Sequence, residues 1–201
     1  MRPAGVTPAV YLVHHGAVTM PDAVETGRSR VPLTAEGEAQ MDKAGRKLRG
    51  LGAPVVSAPT VRTRQSGDVL SRTLGVPHEN DPNLSTWDVG EWTGQPAAHV
   101  RPLMQIFSVH APTVAPPGGE PYADAYERWR QALASLLQRY HATGKPPVAV
   151  ASKGPLLALP YMLSRGEEPL YSEDWRRTIK PHGRIVQVGY DRAGRYRLDT
   201  F

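Results

Sequence analysis

The sequence predicts an α/β protein, a three-layer sandwich with a mostly parallel central sheet and helices on both faces. Two of its apolar runs, Ala9–Val13 and Val148–Ala151, are continuous, which is how strands buried on both faces read. Strand-like runs alternate with helical patterns, which implies parallel pairing through right-handed crossovers. Three of the strands end in polar loops, and ligands bind beyond the carboxyl ends of such strands.

The elements follow in order. Ala9-Val10-Tyr11-Leu12-Val13 is a strand that runs into His14-His15-Gly16. Thr34 is placed to cap a helix reaching to about Leu51, with apolar residues at Met41, Ala44, Leu48 and Leu51 in steps of three and four. Pro54-Val55-Val56-Ser57 is a second strand, and a helix from Val61 to Leu74 follows, ended by Gly75. Residues 79–145 read as an irregular and helical insertion. It holds the acidic, aromatic cluster Trp87-Asp88-Val89-Gly90-Glu91-Trp92, a short helix over His99–Ser108 and a break at Pro116-Pro117-Gly118-Gly119. A long helix then starts at Tyr122, striped by Tyr126, Trp129, Leu133, Leu136, Leu137 and Tyr140 and closed by Gly144. Val148–Ala151 is the third strand, with Ser152-Lys153-Gly154 and another helix after it. Arg184–Tyr190 and Arg195–Leu198 flank the hairpin signal Asp191-Arg192-Ala193-Gly194. With no repeat and no linker, residues 1–201 form a single domain.

Composition narrows the function classes. The 201 residues carry 24 Lys+Arg against 19 Asp+Glu, a net charge of +5, and no cysteine. That excludes disulfides, thiolate metal sites and a cysteine nucleophile. The apolar runs are far short of the roughly 20 residues that span a bilayer, and the N-terminus runs into a strand without a signal-peptide core. A cytoplasmic protein without membrane contact is expected. The charge allows an anionic partner. No nucleic-acid motif accompanies the basic stretch Arg176, Arg177, Lys180, Arg184, Arg192, Arg195 and Arg197, with Glu173, Asp174 and Asp191 among it, so it reads as ordinary surface. His78, His99, His110, His141 and His182 show no ligand spacing, and no metal or other cofactor is expected. A homo-oligomer is left open.

If the three strands are neighbours, their polar loops converge on one pocket. His15 follows a buried strand and precedes glycine, where free backbone amides bind anions; a structural loop histidine is the alternative. Arg62 and Arg64 sit in the first turn of a helix, where negative charge is the usual preference, a hint of anion binding against a background of solvated surface charge. Trp87 and Trp92 form either a stacking platform or core filler.

The order of these motifs resembles that of the histidine phosphatase superfamily, the phosphoglycerate-mutase-like fold, over nearly the whole chain. Tyr11-Leu12-Val13-His14-His15-Gly16 stands where that family has its Arg-His-Gly signature. Pro32-Leu33-Thr34-Ala35-Glu36-Gly37-Glu38-Ala39-Gln40 is similar to its "LTxxGxxQ" helix start, and Ser57-Ala58-Pro59-Thr60-Val61-Arg62-Thr63-Arg64-Gln65-Ser66 to "SSPLxRxxQT". Leu84 to Gly94 is similar to "LxExxxGxWEG", Pro116 to Tyr122 to "PPGGES", and Val148 to Gly154 to the "VSHG" strand. The short middle region is closer to the phosphatase branch than to the glycolytic mutases.

The resemblance implies phosphoryl transfer through a phosphohistidine, with cationic groups holding the equatorial oxygens and a carboxylic acid protonating the leaving oxygen. His15 matches the nucleophile and Arg62 one phosphate-clamping arginine. Elsewhere the set departs: His14 replaces the signature arginine, Thr86 the acidic glutamate and Lys153 the second histidine. His14, Arg62 and Lys153 are therefore the expected phosphate-binding residues. Asp88 or Glu91 is the expected substitute acid, and Glu120 is a third candidate whose place in the family motif implies a structural role. The leading expectation is a divergent relative that keeps a pocket for a phosphate-bearing small molecule or other anion, with weak or no phosphatase activity and a binding or structural role. The alternative is an active phosphomonoesterase working through His15.

Overall fold

The computed structural model describes residues 6–20, 23–51, 53–163, 182–194 and 196–200. Of the basic stretch, Arg176, Arg177, Lys180 and Arg195 lie outside the described residues, as do Glu173 and Asp174. Among the described residues no helix is long and apolar enough to cross a membrane.

A six-stranded sheet runs through the centre in the order β3-β2-β4-β1-β5-β6. β1 (Val6–His14), β2 (Val55–Ser57), β3 (His78–Asn80) and β4 (Val148–Ala151) are mutually parallel. β5 (Ile185–Asp191) and β6 (Tyr196–Thr200) add an antiparallel hairpin on the other side of β1. The helices are α1 (Ala35–Lys47), α2 (Val61–Leu74), α3 (Ala97–Val109), α4 (Tyr122–Thr143) and α5 (Lys153–Leu163).

Alternation along the central strands divides the interior into two cores. Val10 and Leu12 of β1 pack with Val56, Ala149, Ala151 and Val186 against Trp129, Leu133 and Leu136 of α4 and Leu156 and Leu159 of α5. Tyr11 and Val13 point the other way, with Val55, Val148, Val150 and Ile185, onto Met41 and Ala44 of α1 and Val69 and Leu70 of α2. Burial on both faces is why these strands read as unbroken apolar runs.

The helix ends obey their signals. The Thr34 side chain accepts from the Gly37 amide at 3.0 Å, and Gly75 and Gly144 close α2 and α4 with φ of 67° and 66°. At the expected hairpin, Gly194 has φ 73° and the Asp191 carboxylate accepts from the Ala193 amide at 2.9 Å.

Most bounds shift by a residue or two, and the larger differences from expectation are these. α1 stops at Lys47, short of Leu51. β1 starts at Val6, and its pairing with β5 shifts register between Pro8 and Val10, where proline cannot donate to the ladder. β3 was not expected from His78-Glu79-Asn80, because a half-exposed edge strand needs no apolar pattern.

Candidate active site

The sheet order sets β2, β4 and β1 side by side, so their carboxyl-end loops meet. The His15 amide donates to the Ala151 carbonyl at 3.3 Å, tying the end of β1 to β4. The Gly16 amide donates to Ser66 Oγ at 3.1 Å, and that hydroxyl donates to the Arg62 carbonyl at 2.7 Å. α1 then presses on the loop from outside. A Cβ on Gly16 would lie 2.3 Å from the Gly37 carbonyl oxygen, and one on Gly37 would lie 2.2 Å from that of Ala17. Only two glycines let these backbones approach so closely. Gln40 accepts from the Ala17 amide and Gln65 from the Leu33 amide, both at 2.9 Å, fastening loop and helix together.

His15 is buried, 5% exposed, and its Nδ1 stands 2.8 Å from the Gly16 carbonyl. A carbonyl can only accept, so Nδ1 carries the proton and Nε2 keeps its lone pair. Burial holds the pKa well below the usual 6.5, and His14, Arg62 and His182 push it the same way, against the smaller raising effect of the Gly16 bond. His15 is a neutral imidazole at pH 7, the form in which nitrogen is nucleophilic.

Arg62 is 1% exposed. Nη2 donates to the Gly27 carbonyl at 2.6 Å and to Ser152 Oγ at 3.1 Å, while Nη1 reaches the Ser29 carbonyl at 3.4 Å and Nε has no hydrogen-bond partner. Burial lowers its pKa to about 10, which leaves it charged at neutral pH, and Glu25 acts weakly in the other direction. Among the described residues no carboxylate is in ion-pair contact with it. A buried guanidinium held by carbonyls and a hydroxyl keeps an uncompensated charge, which an anion would neutralise. Arg64, by contrast, is exposed.

The remaining expected residues fall in two groups. His14 is buried beside His15, with ring centroids 4.6 Å apart, and Lys153 is half-buried as the first residue of α5, next to Ser152. Thr86 Oγ1 lies 3.7 Å from the place a Cβ on Gly154 would occupy, so it adjoins the start of α5. Of the two expected acids, only Asp88 has a side-chain hydrogen-bond partner among the described residues. Asp88 takes Arg28 Nη1 at 3.0 Å and the Gly90 amide at 3.1 Å. Glu91 is exposed, its backbone bonded to the Pro117 carbonyl at 2.9 Å and its side chain toward Gly118. Glu120 binds Arg28, Arg128 and the Asp88 amide, a frame for the 85–90 segment. Trp87 is 4% exposed, donates to the Glu120 carbonyl at 2.8 Å and packs edge-on against Trp92 and Tyr122, so it fills core.

Sequence spacing missed two residues here. Arg28 lies between Gly27 and Ser29, whose carbonyls hold Arg62, and bonds Thr86, Asp88 and Glu120. His182 stands at the head of β5, its ring centroid 4.9 Å from His14 and 5.2 Å from His15. Only knowledge that β5 pairs with β1 could have found it. With it, three imidazoles have ring nitrogens within 4.8 Å of one another, a cluster that separations along the chain could not show.

A second polar chain lies under the edge strand. Ser57 Oγ is 2.8 Å from His78 Nε2, and His78 Nδ1 is 2.8 Å from Asp68. The order mimics a serine hydrolase relay, but Ser57 is fully buried and also bonds Asn80, so this chain fastens β3 and α2 to β2.

The chain is similar to known proteins in sequence and in fold. Over 83 residues the chain is 35% identical to the probable phosphoglycerate mutase GpmB of Citrobacter koseri and 32% to that of Salmonella paratyphi C. The match covers 40% of this chain and 39% of each relative, so the chain spans about two-fifths of the length of the curated relatives it matches. A mycobacterial glucosyl-3-phosphoglycerate phosphatase superposes with a TM-score of 0.74 at 23% identity, covering 96% of this chain and 97% of the other. The α-ribazole phosphatase of Shigella flexneri gives 0.72 at 18%, covering 96% and 95%. The two solved structures match the fold over nearly the whole chain. The profile of the histidine phosphatase superfamily (branch 1) matches residues 10–198, and the chain belongs to that family.

Proposed function

We propose that this chain binds phosphate monoesters and turns them over slowly through a phosphohistidine at His15. The observation that carries the reading is the pairing of a neutral, oriented His15 with the uncompensated charge of Arg62. Nε2 attacks phosphorus, the ester P–O bond breaks, and the leaving oxygen takes its proton from water. A second water then attacks phosphohistidine and releases inorganic phosphate. The step that suffers is leaving-group protonation. Thr86 stands at the acid's position, and a hydroxyl cannot act as an acid at neutral pH. General acid catalysis is typically worth ~10²–10⁴ in rate. Asp88, the next carboxylate along, is ion-paired with Arg28.

The dependence on the leaving group tests this. p-Nitrophenyl phosphate, whose leaving group needs little protonation, is hydrolysed slowly, and His15→Ala abolishes it. β-Glycerophosphate, an alkyl ester, is not measurably turned over by the wild type and becomes a substrate in Thr86→Glu. Equal rates for both esters, or activity that survives His15→Ala, would overturn the reading.

A further inference from the structure

We infer that His182 is a phosphoryl-binding residue of this site, its imidazole holding an oxygen of the group bound at His15. The inference rests on the reading of His15 given above. It supplies from a neighbouring strand the imidazole that the family pattern leads one to expect at position 153, where this chain has lysine.

The placement of His182 is firm in the fold. The Gly183 amide donates to the His14 carbonyl at 3.1 Å, and Ile185 pairs with Val13 as β5 runs antiparallel to β1. Residue 182 is thereby delivered to the carboxyl end of β1, where the nucleophile is. His14 and His15 are buried, whereas His182 is half-buried, so of the three it is the one that reaches solvent.

Spacing and charge decide what the three imidazoles suit. The ring nitrogens of the three lie within 4.8 Å of one another. Two nitrogens no farther apart than that, those of His14 and His182, can both reach one oxygen at an ordinary hydrogen-bond length of about 2.8 Å. The Arg62 guanidinium also bears on His15, and its field repels a cation and attracts an anion. That field favours a tetrahedral oxyanion over a metal ion, and the spacing suits the oxyanion.

Calorimetric titration with inorganic phosphate tests the assignment, alongside p-nitrophenyl phosphate kinetics and a melting curve for each variant. His182→Ala weakens phosphate binding roughly tenfold, the size of one charge-assisted hydrogen bond. It raises KM more than it lowers kcat, without lowering the melting temperature of the phosphate-free protein. His182→Asn, which keeps a donor, recovers part of the affinity. Unchanged phosphate affinity in both His182 variants, with loss in Arg62→Ala, would overturn the role of His182 alone. A wild type that binds no phosphate would overturn the reading of the site as well.

Discussion

His15 and Arg62 are both buried, and burial acts on them in the same direction: it disfavours the protonated imidazole and lowers the arginine. Only the histidine crosses into the neutral form at pH 7. This has a consequence for stability. Unfolded, His15 takes up a proton near pH 6.5; folded, it resists until well below that. The unfolded chain therefore binds more protons in this window. The stabilising effect of a neutral His15 is full above pH 6.5 and is lost as pH falls toward the folded-state value. Urea unfolding at pH 7.5, 6.5 and 5.5 without phosphate should show wild type losing stability faster than His15→Gln. The difference approaches about 1.4 kcal/mol per pH unit below 6.5. Parallel curves would mean that the imidazole is not held neutral.

At the scale of elements, the site depends on backbones that touch. Gly37 lies inside α1, where replacing glycine by alanine ordinarily stabilises by about 0.5–1 kcal/mol. Here the added Cβ would meet the Ala17 carbonyl, which is backbone and cannot turn aside. Gly37→Ala should instead destabilise by about 1–3 kcal/mol and displace the His15 loop, read as a lowered melting temperature together with lost phosphate binding. A stabilised variant would show that the loop yields freely. The same contacts explain what the sequence disclosed. Thr34 was legible because it meets a local backbone demand that few residue types satisfy, whereas Gly37, Gln40 and Gln65, which act across the fold, were reached only as parts of motifs resembling the family's. β3 was not, because its residues answer to Ser57 and α2 rather than to a periodicity. His182 and Arg28 were not, because pairing across β1 and β5 and the reach from residue 28 to residue 120 are tertiary facts.

For the whole molecule, two cores on opposite faces of one sheet fix the strand order, and the strand order fixes the site. Tyr11 and Leu12 face different helix layers, so β1 is clamped from both sides just before the chain turns into His14-His15-Gly16. The continuous apolar runs announced that arrangement, and the two-sided burial confirms why. What the composition could not announce was the balance of the site. Three imidazoles cluster within the field of Arg62, and the carboxylates Asp88 and Glu120 are bound to Arg28 and Arg128. On the proposed reading, such a charge pattern would retain a phosphoryl group better than it expels an alkoxide. The most direct measurement is phosphorus NMR with mass spectrometry of the protein mixed with p-nitrophenyl phosphate and quenched in alkali, where phosphohistidine survives. One phosphoryl group on Nε2 of His15, absent from His15→Ala, is the predicted result. Phosphorylation of another residue, or hydrolysis of the ester with none trapped and none lost on removing His15, would contradict it.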